Sequence, residues 1–183
     1  MVTTKALAAE LRAAGAELMD LGRIGGLLGW DQETMMPPGG AAGRARQRAT
    51  LEALAHERLT RPRMGELLDA LAGPAAEGRL DPVDAASVRV LRRDHDRAVK
   101  LPTELVRDLA KTTSEAVEIW RRARADSRFG DFAPILGRIV ELKQREAEYL
   151  GYEKHPYDAL LDAYEPEMTV AQLDPLFDGL RAA

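Results

Sequence analysis

Apolar residues in this 183-residue chain recur at three- and four-residue spacing, and no segment of useful length alternates apolar with polar. That single pattern excludes a sheet, because a half-buried strand needs period two and an amphipathic helix needs period 3.6. Leu7, Leu11, Ala14, Leu18, Leu21, Gly25 and Leu28 make one such stripe; Leu105, Leu109, Thr113, Ala116 and Trp120 make another. A third runs Phe132, Ile135, Leu136, Ile139, Leu142 and Tyr149. Alanine, leucine, arginine and glutamate fill the positions between, all good helix formers. The expected fold is all-α: an antiparallel helical layer or bundle of about seven to eight helices, in a single domain over 1–183, with no sheet.

Proline and glycine divide the stripes. The divisions predict helices over about 4–29, 41–59, 63–71, 82–99, 102–125, 132–150 and 157–162, with a last one beginning near Val170. Arg61-Pro62 ends the second helix and Gly73-Pro74 the third, leaving a loop over 75–80. Asp81 before Pro82 reads as an N-cap, and Asp131 as the cap of the 132–150 helix. Gly151 falls where a left-handed C′ residue sits. Thr169 and Gln172 have the spacing of a capping box. The glycines at 15, 22, 25 and 26 predict a kink or a close approach in the first helix. In the segment from Trp30 to Gly40, glycine is expected to supply the positive φ that a helix–helix turn uses.

Charge and composition narrow the function classes. A net charge of −4 gives no general attraction to nucleic acid. The arginine groups Arg44/Arg46/Arg48 and Arg121/Arg122/Arg124 read as solvated helix faces with no exposed aromatic platform beside them. Absence of cysteine excludes disulfides and thiolate chemistry, in keeping with a cytoplasmic location. Charged residues near the N-terminus interrupt any signal-peptide core, and no apolar run reaches the roughly 20 residues of a membrane span. Neither a nucleic-acid nor a membrane partner is expected.

Candidate chemistry is sparse. His56-Glu57-Arg58-Leu59-Thr60 has the start of a zincin helix, but its i+4 position holds Thr60 instead of the second imidazole that a metal needs. The pair reads as a surface feature near a helix end. His95 lies in a charged helical face, where a solvated ion-pair network is expected, and His155 before Pro156 is placed to cap a helix. Ser87, Ser114 and Ser127 lack a nucleophile elbow. The pairs Glu146/Glu148 and Asp158/Asp162 are ordinary for helical surfaces. No catalytic, cofactor-binding or metal-ligating residue is assigned from these residues.

One segment is more specific. Trp30 to Gly40 reads W-D-Q-E-T-M-M-P-P-G-G, and it resembles the W-D-x-x-T-x-M-P-x-G-A pattern of the thermostable carboxypeptidase Taq family of zinc metallocarboxypeptidases. Trp30, Asp31, Thr34, Met36 and Pro37 match it as signature positions; Gly40 stands where alanine is usual. Asp31 is expected to cap or hydrogen-bond the turn, with Trp30 and Met36 burying apolar surface. The resemblance continues through Glu104-Leu105-Val106, Thr113-Ser114-Glu115-Ala116, the run from Gly151 to Asp162, and Tyr164 to Thr169. There Glu167 replaces a usual glycine, which suggests a less constrained turn.

The resemblance implies a helical first third of a longer chain, one wall and part of the cover of a deep substrate groove. It also implies that the zinc or other divalent metal, its His-Glu-x-x-His helix and the downstream glutamate lie beyond Ala183. The last apolar stripe, Leu173, Leu176, Phe177 and Leu180, runs to the chain end, which reads as truncation. Two readings follow. One is a partial metallocarboxypeptidase without activity of its own, with a separately encoded catalytic half as its partner. The other is a stand-alone helical module for dimerisation or regulation, since a helical layer without its partner layer favours a homodimer or other self-association.

Overall fold

The computed structural model describes residues 3–182, and they are helical without a strand. Eight α-helices follow one another: α1 Thr4–Thr34, α2 Ala41–Thr60, α3 Pro62–Ala76, α4 Pro82–Ala98, α5 Thr103–Ala125, α6 Phe129–Leu150, α7 Pro156–Leu161 and α8 Val170–Ala182. Short turns fold α1 on α2, α3 on α4, α5 on α6 and α6 on α7, as in an antiparallel bundle, while α4 and α5 are separated. The layer runs α4, α3, α1, α2, α5, α6 and α7, each packed on the next, and α4 also reaches α2.

Two apolar cores hold this layer. In the larger, Leu11 and Ala14 of α1 and Val88 of α4 close on Met64, Leu67, Leu68 and Leu71 of α3, and the four α3 side chains are fully buried. Ala147, Leu150 and Ala159 form the smaller core under α6 and α7. Between them, Ala45, Ala49 and Ala53 make a buried row along α2. Side chains this small let α2 and α5, its most extensively packed neighbour, approach closely.

Several boundaries differ from the sequence expectation for identifiable reasons. Helix α1 continues five residues past Gly29, to Thr34. The close approach expected of its glycines is not required at these positions: a Cβ on Gly15 or Gly25 would stand in ordinary contact, 3.5 Å from Leu91 and Leu51, while Gly22 and Gly26 face open space. Helix α3 runs through Gly73-Pro74 to Ala76. It stops instead at Gly78, at φ +68°, where the Arg79 N–H returns to the Pro74 carbonyl at 2.9 Å. Helix α6 begins at Phe129, so Asp131 lies in its first turn and is not its cap. There it pairs with Arg128 at 3.0 Å and complements the helix N-terminus. Gly151 has φ +81° with ψ 148°, a glycine conformation but not the left-handed helical one expected. Trp120 and Tyr149, expected inward, are exposed.

Three other cap signals hold in the structure. Asp81 accepts the Val83 N–H at 2.9 Å, and His155 Nδ1 accepts the Tyr157 N–H at 3.1 Å. Gln172 Oε1 takes the Thr169 N–H at 2.9 Å, the reach-back half of a capping box.

The turn before α8 is more constrained than expected. Glu167 sits at φ +68°, a left-handed conformation costing a residue with a Cβ about 1 kcal/mol. Its N–H donates to Asp162 at 2.9 Å, and Arg97 and Arg93 converge on the same carboxylate. The Glu167 N–H, then the two guanidinium charges, hold the Asp162 carboxyl below its ordinary range despite the opposing effect of burial. A depressed carboxyl stabilises the fold fully above its unfolded-state pKa of about 3.9 and loses that contribution as pH falls through the lower folded value. Asp162→Asn is therefore expected to lower the thermal midpoint at pH 7. The gap between the two proteins should narrow progressively as pH falls below about 4. A gap unchanged between pH 7 and pH 3 would contradict this assignment.

Candidate functional site

The signature segment is the end of α1 and the turn that follows. Thr34 Oγ1 donates to the Trp30 carbonyl at 2.7 Å, and the Asp31 carbonyl accepts both Met35 N–H (2.9 Å) and Met36 N–H (2.8 Å). Pro37 and Pro38 cannot donate, so the helix gives way to a 3₁₀ turn, Pro38–Gly40, closed by Gly40 N–H to the Pro37 carbonyl at 2.8 Å. Positive φ plays no part here, contrary to expectation: Gly40 has φ −79°. Its lack of a Cβ matters for space, since a Cβ would lie 3.0 Å from Met36 Cγ.

Two polar clamps then tie this turn of α1 to its neighbours. From α2, the Arg44 guanidinium donates to the Leu28 carbonyl and to the Asp31 carboxylate, while its Nε donates to Gln47 at 3.1 Å. The Arg44 side chain is only 11% exposed, so this is a partly buried ion pair in which the cation also bonds a backbone carbonyl within α1. From α5, Ser114 meets Gln32: Gln32 Nε2 donates to the Ser114 carbonyl at 2.9 Å, and Ser114 Oγ donates to Gln32 Oε1 at 3.1 Å. Both residues are buried.

Asp31 thus performs the hydrogen-bonding role expected of it. Met36 is half-buried, but Trp30 is 57% exposed and does not bury the surface expected. Arg44 and Arg48 do not form a solvated face. Arg48 Nε is buried without a partner, and a Cβ on Gly29 would stand 3.1 Å from Arg48 Nη1, so that glycine makes room for the arginine. Gln32 was missed as a functional position; its only sequence signal is that it lies inside the motif.

The other candidates remain separate. His56 is buried, not at the surface, in the hollow between α2 and α4 with Leu59, Leu91 and Ala98. Thr60 Oγ1 donates to the His56 carbonyl at 2.9 Å, so it closes a helical turn and does not face a metal. His95 packs its ring against Gly65 of α3, 3.5 Å from where a Cβ would be, while its neighbours form the expected ion pairs, such as Arg92 with Asp69 at 2.5 Å. His155 is occupied as the α7 cap. No group of three or more His, Cys, Asp or Glu able to hold a metal occurs among the described residues. What the segment does chemically is fix the relative positions of α1, α2 and α5.

This motif, its clamps and the helical order around them can be set beside known proteins. The family model for the carboxypeptidase Taq (M32) metallopeptidases matches residues 10–183. The chain belongs to this family. Thermostable carboxypeptidase 1 of Pyrococcus furiosus is 36% identical over 178 residues, which is 97% of this chain and 34% of that protein. Thermostable carboxypeptidase 1 of Thermus thermophilus is 40% identical over 172 residues, 88% of this chain and 33% of that protein. Among solved structures, BsuCP superposes with a TM-score of 0.92 at 30% identity, covering 97% of this chain and 35% of that one. Metallocarboxypeptidase 1 of Trypanosoma cruzi gives 0.75 at 31% identity, covering 98% and 36%. The chain spans about a third of the length of the M32 relatives it matches.

Proposed function

We propose that this chain is the helical wall of a metal-dependent carboxypeptidase, and that it does not hydrolyse peptides by itself. In this reading it shapes one side of the substrate groove. The metal, the residues that bind it and the general base come from the remaining two-thirds of an M32 protein, in the same chain or supplied separately. The observation that carries the reading is the partial coverage of M32 relatives, 33% and 34% of two thermostable carboxypeptidases, by a chain matched over almost its whole length. The signature segment supports it, because its polar groups are committed to joining helices and none is left poised as an acid, base or nucleophile. A cytoplasmic location belongs to the same proposal and is supported by the lack of cysteine. The deciding assay measures release of C-terminal residues from unblocked peptides with zinc, cobalt or manganese added, and no turnover is expected from this chain alone.

A second reading, self-association as a homodimer, is favoured by one feature of α1. Met19, Leu27 and Trp30 lie eight and then three residues apart and are 58%, 63% and 57% exposed, with Gly22 and Gly26 open between them. Such a stripe suits helix-to-helix docking. Light scattering across a concentration series is expected to show a mass rising toward twice 20.1 kDa, and a concentration-independent monomer would exclude it.

A further inference from the structure

The corner between α5 and α6 collects aromatic side chains that are scarce elsewhere. The sequence holds two tryptophans and three phenylalanines. One tryptophan and two phenylalanines, Trp120, Phe129 and Phe132, line a single hollow floored by Ala123 and flanked by Arg124 and Ser127. Its volume is about 400 Å³, inside the roughly 300–1,000 Å³ range of small-molecule clefts. An exposed aromatic platform therefore does accompany this arginine group, contrary to the sequence expectation.

The corner is firmly built. Ser127 takes φ +53°, and the Arg128 N–H closes back on the Ala123 carbonyl at 2.7 Å, a Schellman arrangement that fixes how α6 leaves α5. Phe129 and Phe132 meet edge to face with ring centroids 6.5 Å apart. The Arg124 guanidinium lies 5.2 Å from the Trp120 ring centroid, a cation–π contact that holds it beside the hollow.

Charge distinguishes Arg124 from Arg121 and Arg128, while Arg122, which bonds only the Glu118 carbonyl, does not line the hollow. Arg121 is committed to Glu118 and Glu33, and Arg128 to Asp131. Among the described residues no carboxylate lies within ion-pair distance of Arg124. Its planar fork, resting by the indole, is free to take a carboxylate in two parallel hydrogen bonds. The exposed ring surface alongside, with Phe129 67% and Trp120 42% accessible, suits a flat apolar body.

We propose that this hollow binds a small aromatic monocarboxylate, its ring against Phe129 and Phe132 and its carboxylate on Arg124. One unpaired guanidinium matches one carboxylate. A nucleotide phosphate would call on a second cation, and the adjacent Arg121 and Arg128 are already paired. The proposal is independent of the carboxypeptidase reading.

The test uses the full chain carrying Trp30→Phe, so that Trp120 is the only tryptophan and its emission reports on the hollow. Titration with 3-phenylpropionate is expected to give a saturable change with a dissociation constant on the order of 1 mM, within what a ligand of this size can gain. Replacing the carboxylate by its amide, or Arg124→Ala, should weaken binding about tenfold; Arg124→Lys, which keeps charge without the fork, should weaken it less. Arg124 is exposed, so unchanged far-UV circular dichroism in its variants ensures that binding alone is read. No saturation by about 20 mM overturns the proposal at this affinity scale. So does equal affinity for the amide, undiminished binding by Arg124→Ala, or tighter binding of AMP than of 3-phenylpropionate.

Discussion

Leu68→Ala is expected to lower the unfolding free energy by about 3 kcal/mol, within the 2–5 kcal/mol typical of buried leucine truncations. Leu68 is fully buried on α3, between α1 and α4, in the larger of the two cores. Removing its isobutyl group loses the transfer free energy of the buried atoms and leaves a cavity. Met64, Leu67 and Leu71 share one helix with it and have little freedom to collapse into that space. A domain of this size has only about 5–15 kcal/mol in total, so the loss is a large share. Equilibrium urea unfolding measures it. The control is Leu27→Ala on the outer face of α1, where 63% exposure makes a change within about 0.5 kcal/mol the expectation. Similar costs at both sites would contradict the assignment of the core.

Asp31→Ala is expected to cost about 2–3 kcal/mol, because it leaves a partly buried guanidinium without its counter-charge. Arg44 would keep the Leu28 carbonyl and Gln47, so the loss should stay below that of breaking a fully buried pair. The double variant Asp31→Ala with Arg44→Met should be less destabilised than the sum of the single variants, since removing both partners removes the stranded charge. Additive costs would mean that Asp31 and Arg44 act independently. The same experiment bears on the family motif: a large coupling shows that its aspartate serves helix assembly, as the geometry indicates.

What could be read from the sequence was what the chain specifies locally. Asp81 before Pro82, His155 before Pro156 and Gln172 after Thr169 each act within three residues, and all three mark helix starts in the structure. Helix ends were harder. Gly73-Pro74 looked like a stop, but a proline in the final turn removes a single bond, and the chain reverses only at Gly78. Asp131 was read as a cap although a first-turn aspartate gives the same sequence signal.

Contacts between distant residues were not legible. Gln32 and Ser114 are 82 positions apart, and neither looks special until α1 and α5 are packed together. His56 is expected at the surface because Glu57 and Arg58 beside it are exposed; the buried row Ala45, Ala49 and Ala53, in four-residue steps, reaches His56 three residues further on. Trp30 and Trp120 show the reverse error, since apolar character alone does not say whether a packing partner is present. The family itself was legible, because its motifs fall in order along the chain and the matched region spans residues 10–183.

The most direct test of the central claim is a carboxypeptidase assay on the purified chain, with unblocked peptides and zinc, cobalt or manganese supplied in turn. The expected result is no release of C-terminal residues with any of the three metals. Metal-dependent release that a chelator abolishes, and that follows this chain through size-exclusion chromatography, would contradict it.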